Sequence, residues 1–294
     1  MSTEVPPTPS PESTEAKLKK AFTRAAQGGI AGASAMAIQV CTLMWIRTAV
    51  NFQYRYGLTT TEAFKTLYKE GGIPRFYRGV IPALAQGPLS RFGDTASNAG
   101  TLVLLDSLDS TKDLPVAIKS LVASANAAMF RIFLMPIDTV KTTMQVEGAD
   151  GFKKLMAKAK INGPSTFFQG SIAATSATFV GHYPWFSTYN YLNSVLPKYN
   201  DDPLKKLGRN AGIGFVCSAV SDTCSNALRV MKVYKQSSTE AISYMEVGKR
   251  VIDKEGIMGL LGRGLKTKIM ANGLQGIMFS VLWKFIDEKM FGKK

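Results

Sequence analysis

The chain has 294 residues, of which 46% are hydrophobic and only 19% charged, so it is neither a wholly disordered chain nor a coiled coil. Its 36 Lys and Arg against 21 Asp and Glu leave a net charge of +15, which suits nucleic acid or an anionic membrane and its solutes. Three cysteines (Cys41, Cys217, Cys224) and one histidine (His182) exclude a disulfide scaffold and a Cys/His zinc site, so no metal or cofactor is expected.

The N-terminal segment MSTEVPPTPSPESTE has four prolines and no apolar face, which predicts a disordered tail over residues 1–20. It is not a secretory signal, since no apolar run follows a basic start. Glu4, Glu12 and Glu15 with no Arg make it a poor mitochondrial presequence, so targeting is expected to be internal. Long apolar or small-residue stretches then cover roughly 25–50, 80–105, 116–140, 171–196, 207–234 and 265–287. Each is long enough for a tilted bilayer span of about 20 residues. None is purely apolar: Arg24, Arg47, Arg91, Asp94, Arg131, Asp138, Lys141, Asp222 and Arg229 lie in them or at their ends. Charges tolerated in spans face a bundle interior or a watery cavity. Six helices around a polar path are therefore expected. Short amphipathic stretches between them, such as Thr61–Glu70 and Met245–Lys254, predict helices lying at the membrane surface.

The chain also repeats. One unit ends a helix on a basic residue, Leu43-Met44-Trp45-Ile46-Arg47, Pro136-Ile137-Asp138-Thr139-Val140-Lys141 and Cys224-Ser225-Asn226-Ala227-Leu228-Arg229, with the basic residues 94 and 88 apart. A second unit opens the next helix: Glu70-Gly71-Gly72 through Tyr77-Arg78-Gly79, Asn162-Gly163 through Gln169-Gly170, and Glu255-Gly256 through Arg263-Gly264. Its closing glycines are 91 and 94 apart. Two landmarks sharing one period divide the chain into repeats at 21–110, 111–202 and 203–294.

On these motifs residues 21–290 resemble the mitochondrial carrier family. Its signature is Pro-x-Asp/Glu-x-x-Lys/Arg, a surface helix, then Asp/Glu-Gly-x4-aromatic-Lys/Arg-Gly, three times. The resemblance implies an all-α membrane protein of six transmembrane helices in three pseudo-symmetric repeats, multi-pass in the inner mitochondrial membrane. It implies metabolite transport by alternating access. It also implies a matrix gate at the C-terminal ends of the odd helices, where acid and base of neighbouring repeats pair and each proline bends its helix inward. Only the second repeat keeps the full pattern, Pro136, Asp138 and Lys141. Arg47 and Arg229 are aligned with Lys141, with Met44 and Asn226 at the acid positions. In that register Asp138 meets Arg229, Arg47 faces Asn226, and Lys141 faces Met44.

The gate on the other side is expected to close weakly. Its positions read Asn98–Leu102, which lacks charge, Tyr189–Asn193, with amides for acid and base, and Trp283–Asp287, with the signs reversed. Substrate-contact positions, seven and eight residues past the closing glycines, are Gln86, Gly87, Ala177, Thr178, Ala271 and Asn272, none of them charged. Arg91, Asp94, Arg131 and His182 are further polar candidates for the cavity. The resemblance also implies cardiolipin at helix N-termini, with Gly72, Tyr77, Arg78, Gly79, Gly163, Gly170, Gly256 and Gly264 as candidates. Gln169 in place of a basic residue makes the second of these sites the weaker.

Other motifs carry two readings. Gly28 with Gly32 and Gly208 with Gly212 suit either sliding helices or close static packing. His182 suits either a proton switch or a local hydrogen bond near the interface. Gly259–Thr267 is not a phosphate loop, because Lys266 lies one residue too far from Gly264. The cysteines are expected as buried small apolar residues. Scattered basic residues argue against nucleic acid. No nucleophile–base constellation points to an enzyme. Two functions remain: a solute carrier, or a carrier-fold structural subunit of a larger respiratory-chain complex that no longer transports.

Overall fold

A computed structural model describes residues 14–107, 110–199 and 202–291, with the side chains of 14–33, 35, 91, 94–99, 102, 103, 107, 116, 117, 120, 121, 124, 127, 128, 203, 204 and 279–291 outside that description. All regular structure among these residues is helical. The first third holds α1 (Thr14–Tyr56), α2 (Thr60–Phe76) and α3 (Val80–Ser107). The middle third holds α4 (Val116–Phe133), α5 (Met135–Glu147), α6 (Gly151–Asn162) and α7 (Ser171–Val195), with 3-10 turns at Gly148–Asp150 and Pro164–Phe168. The last third holds α8 (Pro203–Ser237), α9 (Tyr244–Gly262) and α10 (Leu265–Phe291). Helix α1 begins at Thr14, inside the segment 1–20 expected to be disordered; residues 1–13 lie outside the described residues.

The long helices form a closed ring. Helix α1 packs on α3, α3 on α4, α4 on α7, α7 on α8, α8 on α10, and α10 returns to α1. The C-terminal halves α1, α5 and α8 also touch one another. There Val50 and Tyr54 of α1, Val146 of α5, and Val230 and Val233 of α8 bury a shared apolar cluster. This cluster seals one end of the ring.

The short helices α2, α6 and α9 lie against that end. Two of them start from side-chain caps, which satisfy otherwise orphaned backbone donors. Thr59 Oγ1 accepts the Glu62 N–H at 3.4 Å while the Glu62 carboxylate accepts the Thr59 N–H at 3.0 Å. Ser243 Oγ accepts the Glu246 N–H at 3.1 Å. Each buries residues spaced four apart: Ala63 and Leu67 in α2, Val247 and Val251 in α9. The matching position in α6 is Lys158, a buried cation where the other two repeats bury Leu67 and Val251.

Proline bends only one repeat. The helix of the middle third breaks at Leu134, just before Pro136, into α4 and α5. A proline lacks the N–H that would continue the helix and its ring crowds the preceding turn. Helices α1 and α8 have no proline there and run unbroken.

Apolar character does not mark the expected spans. No helix among the described residues is long and apolar enough to cross a membrane on that measure alone. The six stretches coincide with α1, α3, α4–α5, α7, α8 and α10, whose hydropathy is thinned by charged, amide and hydroxyl residues turned into the ring. The outer side is apolar: Ile81, Phe133, Ile172 and Tyr183 are each about 70–80% exposed.

Two other expectations are corrected. Cys217 is buried, but Cys41 and Cys224 are exposed, because they fall on faces of α1 and α8 that no described neighbour covers. No described atom lies within 4 Å of where a Cβ would stand on Gly208 or Gly212, so these glycines serve no close packing among the described residues. Gly28 and Gly32 fall among side chains outside the description.

Candidate functional site

The ring encloses a polar cavity of about 340 Å³. Its charged lining is Arg47 from α1, Asp138 and Lys141 from α5, Arg229 and Lys232 from α8, and Lys268 from α10. An adjoining cavity of about 170 Å³ shares Gln86, Ser90, Asp138, Arg229 and Lys232 with it and reaches Arg131 and Thr178. The six substrate-contact candidates converge here. Gln86, Gly87, Ala271 and Asn272 line the first cavity, and Gln86, Ala177 and Thr178 line the second.

Repeated contacts fix how the three repeats correspond. Gly79 approaches the carbonyl of Lys141, Gly170 that of Lys232 and Gly264 that of Val50, where a Cβ would meet the oxygen at 3.0, 3.3 and 3.3 Å. All three glycines have φ between 63° and 91°, which an L side chain rarely adopts. Thr48 Oγ1 donates to Phe76 O at 2.7 Å, and Thr139 Oγ1 donates to Phe167 O at 2.8 Å. In this register Val50, Lys141 and Lys232 are equivalent, and so are Arg47, Asp138 and Arg229. Both triplets are spaced 91 and 91 apart.

The expected gate register is therefore wrong by three residues in the first and third repeats. Arg47 and Arg229 stand at the position of the acid Asp138, not at that of Lys141. Lys232, which sequence reasoning missed, is the true counterpart of Lys141. The constant spacing of 91 was the signal that identifies it. Residue type alone points to Arg47 and Arg229, which are basic residues at the acid position.

The pairing follows the corrected register. Asp138 is buried and accepts Lys232 Nζ across the repeat boundary at 2.7 Å, Lys141 Nζ at 2.7 Å, and Gln236 Nε2 at 3.1 Å. Arg229 does not meet Asp138; its guanidinium lies 3.5 Å from Asp222 on its own helix and donates to Ser225 Oγ at 3.2 Å. Arg47 does not face Asn226; it donates to Gln275 Oε1 at 2.6 Å. Lys141 reaches Gln86 Oε1 at 2.7 Å rather than Met44. Asn226 instead accepts the Tyr54 hydroxyl at 3.0 Å and donates to the carbonyls of Leu261 and Arg263 at 2.8 and 3.0 Å. Asn51 Nδ2 donates to Gln145 Oε1 at 2.6 Å. So one ion pair, an amide bridge and a hydroxyl–amide bond join the three repeats where an ionic ring was expected.

Lys268 was also missed. It stands in the first turn of α10 and donates to Asn272 Oδ1 at 3.0 Å. Asn272 in turn bonds the Asp222 carboxylate. The cavity thus holds five cations against Asp138, with Asp222 beside Arg229 as the second carboxylate.

The other sequence candidates scatter. Arg131 Nη1 donates to Thr178 Oγ1 at 3.3 Å at the edge of the second cavity. His182 packs edge-on against Phe186, with ring centroids 5.9 Å apart, and lines neither cavity. Arg91 and Asp94 lie outside the described side chains, as do Asn98 and Trp283–Asp287 of the second gate. In the remaining part of that gate, Asn193 serves through its carbonyl, which accepts Arg209 Nη2 at 3.2 Å.

Of the lipid candidates, Gly72, Gly163 and Gly256 have φ of 62°, 78° and 70° and break the chain ahead of the next long helix. No described atom crowds the Cβ position of Gly163 or Gly256, so these turns are open. Gly79, Gly170 and Gly264 are instead closed against the neighbouring helix, as described above. Tyr77 packs on the apolar clusters beside α2, and Arg78 is exposed.

Three cations cap the sealed end. Arg75 donates to Gln145 O and Val146 O, both at 2.8 Å, and pairs with Glu70 at 2.7 Å. Arg263 donates to Tyr54 O and Arg55 O, both at 3.3 Å, and pairs with Glu255 at 2.7 Å. Lys158 Nζ donates to Ser238 O at 2.6 Å. Each satisfies carbonyls left free at the C-terminus of a neighbouring long helix, where positive charge is favoured.

Lys158 predicts a pH dependence. Burial, then the nearby Lys235 and Arg55, lower its pKa to about 8 from the usual 10.5. Below about 8 it is charged both folded and unfolded, and burying the charge opposes folding. Above about 8 the folded side chain releases its proton while the unfolded one keeps it. Thermal stability should therefore rise between pH 8 and 10.5, and Lys158→Met should flatten that rise. A variant with the wild-type slope would assign the effect to another group.

The comparisons agree with this geometry. The family model described as mitochondrial carrier protein matches residues 18–98 and 112–200. The mitochondrial 2-oxodicarboxylate carrier of Mus musculus is 23% identical over 279 residues, covering 87% of this chain and 91% of that protein. Mitochondrial substrate carrier family protein C of Dictyostelium discoideum is 24% identical over 315 residues, covering 99% of this chain and 64% of that protein. The mitochondrial carrier-like protein L276 of Acanthamoeba polyphaga mimivirus is 24% identical over 160 residues, covering 54% of this chain and 62% of that protein. A family match over more than half the sequence, together with three repeats whose glycines and helix ends engage one another in the same cyclic way, makes this chain a divergent member of the mitochondrial carrier family.

Proposed function

We propose that the chain moves a small solute across the inner mitochondrial membrane by alternating access, with its six long helices spanning the bilayer. The observation that carries this reading is the polar cavity at the centre of the ring, floored by a charged inter-repeat pair and lined by contact residues from all three repeats. Charges within the ring and large apolar side chains outside it suit a lipid-embedded protein. In this reading the cluster around Val50 and Val233, with the Asp138–Lys232 pair, forms the closed matrix gate. The pair has to break in each cycle, so it acts as a latch. In this reading cardiolipin sits at the open glycine turns at Gly163 and Gly256, where the first free backbone N–H groups of the helices that follow suit a lipid phosphate.

The cation excess ranks anions first among solutes, and the mouse relative's name suggests starting with 2-oxodicarboxylates. The test is reconstitution of the full chain in cardiolipin-containing liposomes. Uptake of radiolabelled 2-oxoadipate, phosphate, amino acids and nucleotides would be measured with and without internal counter-solute. Saturable uptake of at least one is expected. Folded protein that moves none, and migrates on native gels within a respiratory assembly, would favour the structural-subunit alternative.

A further inference from the structure

The floor of the cavity lacks acids that its own symmetry calls for. In the middle repeat the acid Asp138 meets Lys232 of the next repeat. Rotating that pair around the ring sets Arg47 against Lys141 and Arg229 against Val50. The first is a pair of like charges, and the second leaves a cation facing an alkyl group. Asp138 is shared between two lysines, and Asp222, 3.5 Å from Arg229 and bonded to Asn272, lies on α8 outside the acid positions of the ring, so five cations face two carboxylates. Among the described residues Arg47 donates to the neutral Gln275 and Lys268 to the neutral Asn272. Like charges in a low-dielectric enclosure repel strongly and are stable only with a counter-charge.

We propose that a small multivalent anion seats on this floor between Arg47, Lys141 and Arg229 and replaces the two missing acids, so that the anion itself stabilises the closed gate. The inference rests on the carrier reading for what the floor does, though not for whether the anion binds. Guanidinium groups suit it, because their planar forks take carboxylate or phosphate oxygens two at a time. The cavity, at about 340 Å³, lies at the small end of known ligand pockets of about 300–1,000 Å³. Here the ligand becomes a working part of the latch, because two of the three acid positions of the ring hold arginine.

The test uses thermal unfolding and titration calorimetry on the purified full chain. The probes are sodium 2-oxoadipate, sodium phosphate, sodium gluconate and sorbitol, at matched ionic strength. The two multivalent anions distinguish a carboxylate from a phosphate ligand, and a response to either supports the proposal. The midpoint should rise with the logarithm of its concentration, while gluconate and sorbitol leave it in place. Arg47→Asp gives Lys141 an acid of its own. It should raise the midpoint without anion and abolish the anion response. Arg229→Gln should weaken binding by about tenfold or more with an unchanged far-UV spectrum. It keeps the test decisive if the first variant does not fold. Equal responses to gluconate and phosphate, or a full response in both variants, would overturn the proposal. Liposome uptake of a neutral solute with no anion response would overturn it and leave the carrier reading intact. Anion binding without transport of any solute would do the reverse.

Discussion

Replacing Asp138 with Asn is expected to destabilise the protein by roughly 3–5 kcal/mol, the range for removing one partner of a buried ion pair. Asp138 is 4% exposed and holds Lys141, Lys232 and Gln236 at once. The amide keeps the shape but not the charge. It leaves both lysines, with Arg47 and Arg229, around a cavity whose remaining carboxylate, Asp222, is engaged by Arg229 and Asn272. Unfolding of the purified variant would then fall by roughly 6–15 °C. Adding Lys232→Met should recover part of the loss, since neighbours that share a partner are not additive. A midpoint within about 2 °C of wild type would mean that cavity water already screens the lysines, and that the pair is no latch.

Arg263→Met should have an effect of similar size for a different reason. The Arg263 side chain is 3% exposed, and its partner Glu255 is 24% exposed. It ties α9 to the last carbonyls of α1, a link between the third repeat and the first. Its loss leaves Glu255 with only the long contact to Lys254 at 4.0 Å among the described residues and removes the donor to two helix-terminal carbonyls, at a cost of roughly 3–5 kcal/mol. Lys158→Met removes the corresponding cap of α8 but also removes a buried charge that opposes folding, so it should cost much less at pH 7. Comparing their unfolding midpoints checks the account. Equal losses would mean that the capping bonds dominate and that burial of the lysine costs little.

The glycine units were legible in the chain because a turn with positive φ selects glycine whatever surrounds it. Gly72, Gly163 and Gly256, and Gly79, Gly170 and Gly264, therefore marked the three repeats without any tertiary information. The proline rule also worked locally, since only the repeat with Pro136 is broken. The gate failed for the opposite reason. A cation that ends a helix has the same letter whether it stands at the acid or the base position of the motif. Arg47 and Arg229 look like partners for acids by residue type, yet they occupy the acid positions themselves.

The caps show the same division. Arg75, Lys158 and Arg263 serve one purpose from positions with no common spacing, so no repeat comparison could have grouped them. By itself the sequence determined the all-helical class, the period near 91 and the turns, because each follows from backbone constraints within a few residues. Only the tertiary structure decided which charges meet, because an ion pair depends on distances across helices far apart in the chain, and a shift of three residues moves a side chain almost one full turn along its helix.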